Sequence, residues 1–314
     1  MLRSAARFWR QTPQLYKRQA FTRDFTIAID GPAASGKSST ARAVAQELGF
    51  GYIDSGSIYR CATLLALRNN IASDIDKHWP ELIDLIGKTG VEIKIQPNSN
   101  RSLSVVAAKT GRLVVPSVQI LLDGEDVSND IRTPEVNRLV AKVASDGGVR
   151  SAVLNIQRSL AANADTKATE TQGNGKDPHV IPGGVVMDGR DVGTTVFPNA
   201  ELKIYLDASA MARAIRRWDE MNSQLKNKQT EEAARKQENK ADTSVPVEYP
   251  SVEDIARELE QRDYADINRQ HSPLRIAPDA VVIDNTNLTF EQQVYSITDL
   301  ARERMGLQRK YDDI

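Results

Sequence analysis

The stretch "FTIAIDGPAASGKSST", residues 25–40, restricts the fold of this chain more than any other. Residues 25–30 have the composition of a buried strand. Gly31 to Ser38, "GPAASGKS", fits the pattern G-x-x-x-x-G-K-[ST] at every fixed position. Residues 36–48 continue as a helix with a glycine stop at Gly49. Each part of the pattern has a physical task. Glycines let the backbone turn tightly enough for successive amides to point inward at a phosphate. The following helix adds its positive N-terminal end. Lys37 reaches the outer phosphates, and Ser38 offers a hydroxyl to Mg²⁺. The segment Gly31, Pro32, Ala33, Ala34, Ser35, Gly36, Lys37, Ser38 and Ser39 is therefore expected to seat the phosphates of a nucleoside triphosphate, ATP.

The rest of the chain supplies the elements that such a loop needs. "GYID" reads as a short strand followed by a helix, "GVVMDGRD" and "LKIYLDA" as buried strands, and "DAVVIDNT" as a last strand before a C-terminal helix. Strands alternating with helices predict an α/β fold around a parallel sheet. "VEIKI" (91–95), "LSVVA" (103–107) and "VQILLDGEDV" (118–127) predict a small antiparallel sheet of three strands. "TPEVNRLVAKVAS" and "GVRSAVLNIQRSLA" carry apolar residues at helical spacing. Residues 162–182, polar and aperiodic, read as a disordered surface loop. Residues 222–250 read as a mobile, partly helical, charged excursion. A helix capped by Ser251 follows it. "NKAD" (239–242) matches a guanine-reading pattern. It follows a solvated helical run rather than a buried strand, so it is read as chance.

Composition excludes several functions. No run of about 18 apolar residues occurs, so a membrane span is not expected. A single cysteine, Cys61, permits neither an internal disulfide nor a cysteine metal site. None of the three histidines lies in a nucleophile setting or at metal-ligand spacing. The first 23 residues differ from the body: they hold six Lys and Arg and no acid, interleaved with apolar and hydroxyl residues. That composition predicts a mitochondrial transit peptide within residues 1–24, the alternative being a basic tail on a cytoplasmic protein. The remainder is more acidic than the whole chain, whose net charge is −1, and this argues against nucleic-acid binding.

Phosphoryl transfer to a phosphate needs no general base, because an acceptor with a second pKa of about 6 is already ionised. What it needs is cationic groups that bring two anions together and absorb spreading charge. Arginines stand where that logic wants them. Arg60 ends "DSGSIYR", Arg150 opens a helix, and Arg190 lies between two carboxylates in "DGRD". Arg213, Arg216 and Arg217 follow "IYLD". Arg262 and Arg269 are seven apart, which places them near one helical face with Asp266 between. Together they predict an anion funnel at the strand ends.

The motifs "IDGPAASGKSST", "DSGSIYR", "DGEDVSNDIRTPEV", "VR…QR", "MDGRDVGTTVFPNAELKIYLDAS" and "QRDYADINRQHSPL" resemble, in the same order, those of bacterial-type cytidylate kinases. The resemblance spans about Phe25 to Ala301. It implies phosphorylation of CMP and dCMP by ATP in a P-loop domain, residues 25–314; the chain is expected to be a monomer. An acceptor-binding insert would occupy about 88–150 and a lid about 216–250. Arg60, Arg190 and Arg269 would clamp the CMP phosphate, and Asp266 with Arg262 the ribose. Ser55, Tyr59, Arg150 and Asp191 would shape the cytosine pocket, while Arg213, Arg216 and Arg217 would close over the ATP phosphates. The sequence departs from the family at Ala141, where serine is frequent, and at Asp146-Gly147-Gly148, where proline often precedes the arginine. The competing readings are a kinase for another small acceptor such as UMP, and a nucleotide-binding regulator without turnover.

Overall fold

The structure, a computed structural model, describes residues 16–17, 25–96, 115–170, 183–236 and 250–309. Five strands form one parallel sheet: β1 (Phe25–Asp30), β2 (Gly51–Asp54), β6 (Gly184–Gly189), β7 (Leu202–Asp207) and β8 (Val281–Asp284). Their order is β2-β6-β1-β7-β8. The first strand lies at the centre, and later strands add to either side of it. The connections therefore diverge at the C-terminal end of β1, where open α/β sheets bind ligands.

The central strands are apolar on both faces because helices cover both. Ile27, Ile29, Val186, Leu202 and Ile204 pack against α1 (Lys37–Leu48) and α8 (Phe290–Arg304). Ala28, Val185 and Met187 face α2 (Ser55–Arg68), α3 (Trp79–Lys88) and α5 (Gly147–Glu170). The helix boundaries follow from local chemistry. Gly49, in the left-handed region at φ 70°, ends α1 by donating to the carbonyls of Ala45 and Gln46. Asp54 accepts from the Ser57 amide and so starts α2 at Ser55. Thr133 with Pro134 starts α4 (Pro134–Val143), and a capping box of Ser251 and Asp254 starts α7 (Val252–Asn268).

The small antiparallel sheet comprises β3 (Val91–Gln96), β4 (Ser117–Leu122) and β5 (Glu125–Asp126). Residues 118–127, expected to be one strand, break into a hairpin. Asp123 and Gly124 both have positive φ, 50° and 84°, the backbone of a tight two-residue turn. The expected strand at 103–107 lies outside the described residues. So does 171–182, but the first part of the expected loop at 162–182 is helical, because α5 runs on to Glu170. Its alanine-rich sequence, "AANADTKATE", favours a helix despite its polarity. The charged excursion is likewise helical where described, as α6 (Ala210–Lys236), with 237–249 outside. Of the first 24 residues, Tyr16–Lys17 is described, paired antiparallel with Gln308–Arg309.

Candidate active site

The loop after β1 is shaped by its glycines and by what crowds it. Gly31 has φ 151°, and a Cβ there would come within 2.1 Å of the Leu206 carbonyl oxygen on β7. Ala34 and Gly36 are left-handed, at φ 58° and 83°. The reversed backbone delivers residues 35–38 onto the N-terminus of α1, the expected phosphate nest. Lys37 is buried, with Nζ donating to the Pro32 carbonyl at 2.5 Å and to Ser35 Oγ at 3.3 Å. Burial, then repulsion from Arg190, pulls its pKa well below the ordinary lysine value. The loop thus holds a poorly solvated cation that an anion would stabilise. Ser38 and Ser39 sit at the first turn of α1.

Ser38 Oγ donates to Asp188 Oδ2 at 2.7 Å, and the Tyr52 hydroxyl donates to Asp188 Oδ1 at 2.8 Å. Asp188 ends the apolar run of β6, and no local sequence signal marks it as a site residue. Burial, with Asp54 nearby, raises its pKa to about 6. Asp30, at the end of β1, is also raised to about 6 by burial, although it accepts from the amides of Val192 and Gly193 at 2.8 and 2.7 Å. A hydroxyl and a buried carboxylate are hard oxygen donors, suited to a magnesium ion that keeps most of its waters. Among the described residues there is no cluster of three or more His, Cys, Asp or Glu that could cage a metal.

Facing the loop is a group of arginines assembled from distant elements. Arg190, after β6, donates from Nε to Asp266 on α7 at 2.8 Å, so neither carboxylate flanking it in sequence takes its charge. The positive charge on Arg190 is felt by Lys37. Arg60 on α2 donates to the Ile131 carbonyl at 2.9 Å and to Asn137 at 2.6 Å. Burial first, then Arg262, lowers the Arg60 pKa; burial, then Arg190, does the same to Arg262. Arg60, Arg262, Arg190 and Lys37 therefore form one chain of mutually repelling cations. Arg269 corrects the sequence reading, for α7 ends at Asn268 and Arg269 has the extended backbone of a cap residue. It leaves the helical face, donates to the Ser272 carbonyl at 2.8 Å, and lies 3.5 Å from Asp191 and 3.7 Å from Asp266.

Tyr59, Arg150 and Asp191 come together, and Ser55 is tied to the helix of Arg150 through Gln157. Arg150 Nη2 meets Asp191 Oδ2 at 2.5 Å, both side chains buried, and the guanidinium carbon stands 5.2 Å from the centre of the Tyr59 ring. Burial raises the Tyr59 hydroxyl to about 12. Gln157, two turns along α5 from Arg150, donates to Ser55 Oγ at 2.7 Å. Arg150 Nε is buried without a hydrogen-bond partner. Ala141 is exposed on α4.

The three arginines of α6 divide. Arg213 is buried and donates to the carbonyls of Ala33 and Ala208 at 2.8 and 3.0 Å. Arg216 donates to Asn285 Oδ1 at 2.9 Å and to the Asn285 carbonyl at 2.6 Å, while Asn285 Nδ2 donates to the Ser35 carbonyl at 2.8 Å. Arg217 is half exposed beside Glu220, near enough to Arg60 to lower its pKa.

A parallel sheet whose first strand feeds a glycine loop and a helix N-terminus, with cations opposite, defines a P-loop phosphotransferase. Comparison with known proteins narrows this class. The sequence model of the family described as "Cytidylate kinase" matches residues 27–247 and 225–303. The cytidylate kinase of Geobacillus sp. (strain WCH70) is 37% identical over 281 residues, covering 89% of this chain and 97% of that protein. Those of Pelodictyon phaeoclathratiforme and Lactobacillus johnsonii are 36% and 33% identical, covering 92% and 88% of this chain and 99% and 94% of theirs. The chain belongs to the cytidylate kinase family and is an ATP-using nucleoside monophosphate kinase.

Proposed function

We propose that the protein transfers the γ-phosphoryl group of ATP to CMP and dCMP, giving ADP and the diphosphates. The observation that carries the choice of base is the buried Arg150–Asp191 pair with its unpartnered Arg150 Nε. An orphaned buried donor costs about 1–3 kcal/mol, a debt that a bound base relieves. Asp191 accepts from the exocyclic amine of cytosine, and Arg150 donates to the ring carbonyl. Uracil would set its O4 against Asp191, which supports rejection of UMP.

Arg60, Arg190 and Arg269 hold the acceptor phosphate, and Asp266 with Arg262 holds the ribose. The Arg190–Asp266 bond is exchanged for one to phosphate as substrate enters. The acceptor oxygen, already ionised, attacks in line without a base. The loop amides and Lys37 hold the donor phosphates, while Arg213, Arg216 and Arg217, on α6, close over them. Mg²⁺ would be held by Ser38 with Asp188 behind it, and it supplies charge neutralisation at the donor phosphates. Residues 88–150 act as the acceptor insert and 216–250 as the lid of a monomer. The cationic, acid-free start of the chain supports mitochondrial import, which an assay with isolated mitochondria checks.

The deciding experiment is ADP release with CMP, dCMP, UMP and AMP. CMP and dCMP are expected to be preferred. Faster turnover with UMP would overturn the base assignment, and no release with any acceptor would leave a binding protein.

A further inference from the structure

Asp263 has no part in the scheme above, yet it is nearly enclosed and touches the phosphate loop. Its Oδ1 accepts from the Ala33 amide at 3.1 Å, and its Oδ2 lies 2.7 Å from Arg213 Nη1. The same Arg213 nitrogen donates to the Ala33 carbonyl at 2.8 Å. One residue of the loop is therefore gripped at both its amide and its carbonyl by an ion pair whose side chains are 6% and 13% exposed. The Ala33 methyl is packed among Ala214, Ile255, Ala256 and Leu259. The preceding residue, Pro32, offers the carbonyl that holds Lys37 Nζ. The position of the phosphate-binding cation thus depends on a peptide that α6 and α7 hold from behind.

The neighbours of Asp263 on α7 meet the arginines of the acceptor side. Arg262, one residue earlier, is opposed by the charges of Arg190 and Arg60, and Asp266, three residues later, takes Arg190. A single rigid helix therefore carries groups of the acceptor side and a clamp on the donor loop. We infer that Asp263 is a positioning residue that couples the two substrate sites: acceptor binding, by fixing α7 through Arg262 and Asp266, fixes residues 32–33 and with them Lys37. A charge-assisted amide–carboxylate bond and a buried ion pair are stiff enough to transmit such a displacement. By linkage, ATP must then tighten CMP binding by the same factor that CMP tightens ATP binding.

The inference rests on the proposed CMP kinase reading, and its test separates the two. Calorimetry gives the Kd of a non-hydrolysable ATP analogue with and without saturating CMP, in the wild type and in Asp263→Asn, beside turnover and thermal melting. The wild type is expected to show a ratio of about fivefold or more, within the usual range of site–site coupling. Asp263→Asn is expected to bring it to near one and to raise the ATP KM more than the CMP KM. A wild-type ratio of one overturns the inference. So does an unchanged ratio in the variant, even with a lowered melting temperature, because the residue then serves the fold alone. If Asp263→Asn does not fold, Asp263→Glu keeps the charge and displaces the grip, and the same ratio decides. Absence of ADP release from the wild type with CMP would strike the functional reading, whereas normal release with an unaltered ratio in the variant overturns the role of Asp263 alone.

Discussion

The donor and acceptor sides of the cleft are built by opposite means. The donor side is mostly backbone: amides and one lysine, arranged by three residues of positive φ between Gly31 and Gly36. Its loop is contiguous in sequence and bent by local conformational preference. The acceptor side is all side chain, drawn from α2, α5, the end of β6, α7 and the segment after it. Its charges neutralise one another through Arg150–Asp191 and Arg190–Asp266. A backbone nest persists without ligand, because its dipoles are fixed by the chain. A set of like charges persists only if carboxylates are placed among them, and substrate must then compete with those carboxylates. The donor side should accordingly lose function without losing stability on mutation, and the acceptor side should lose both.

The largest effect expected is at Lys37. Lys37→Ala should lower turnover by on the order of 10²–10³, the scale for removing one electrostatic group from a transition state. Its melting temperature should hold or rise, since a desolvated cation is removed. A large fall in melting temperature would erase the contrast between the two sides.

Asp188→Asn should cost turnover on a similar scale, with a distinctive pH signature. Asp188 has a native pKa of about 6, above the ordinary 3.8. The protonated carboxyl favours the folded state, so this contribution is complete below about pH 4 and is lost as pH rises through 6. Asparagine mimics the neutral form. The difference in melting temperature, variant minus wild type, should therefore be more positive at pH 7 than at pH 4.5, which paired thermal melts measure.

On the acceptor side, Arg150→Met leaves Asp191 buried with Arg269 at 3.5 Å as its remaining partner. A loss towards the low end of about 3–5 kcal/mol is expected in denaturant unfolding, together with a raised CMP KM. Adding Asp191→Asn should restore much of the stability and none of the CMP use. Restoration of both would show that the pair serves the fold alone. Arg190→Ala should weaken CMP handling while leaving ATP-analogue binding nearly intact. The smallest effect is expected at Arg217, whose exposed pair with Glu220 should leave melting unchanged on Arg217→Ala, within about 0.5 kcal/mol. A measurable loss of stability there would mean that α6 depends on its surface charges.

How much of this could be read in advance varies residue by residue. Lys37 and Ser38 are legible because their spacing is itself the geometry. The hairpin at Asp123–Gly124 carried a recognisable turn signal, but the apolar run before it masked the break. Asp188 stands two residues from Arg190 and was overlooked, since nothing local separates a buried carboxylate from a surface one. Asp263 lies inside the motif "QRDYADINR", yet its partner Ala33 is 230 positions away. A seven-residue spacing puts Arg269 on a helical face only if the helix continues, and here it ends at Asn268.

Contiguous residues alone dictate the phosphate loop, the parallel α/β architecture and the set of residue types available for an anionic acceptor. These depend on short-range conformational preference and on the periodicity of burial, both written in contiguous residues. The tertiary structure decided which carboxylate each arginine meets, where Asp188 and Asp263 act, and how deeply Lys37 is desolvated. Those outcomes depend on distances between segments far apart in the chain, and electrostatic energy is set by that separation and by the exclusion of water.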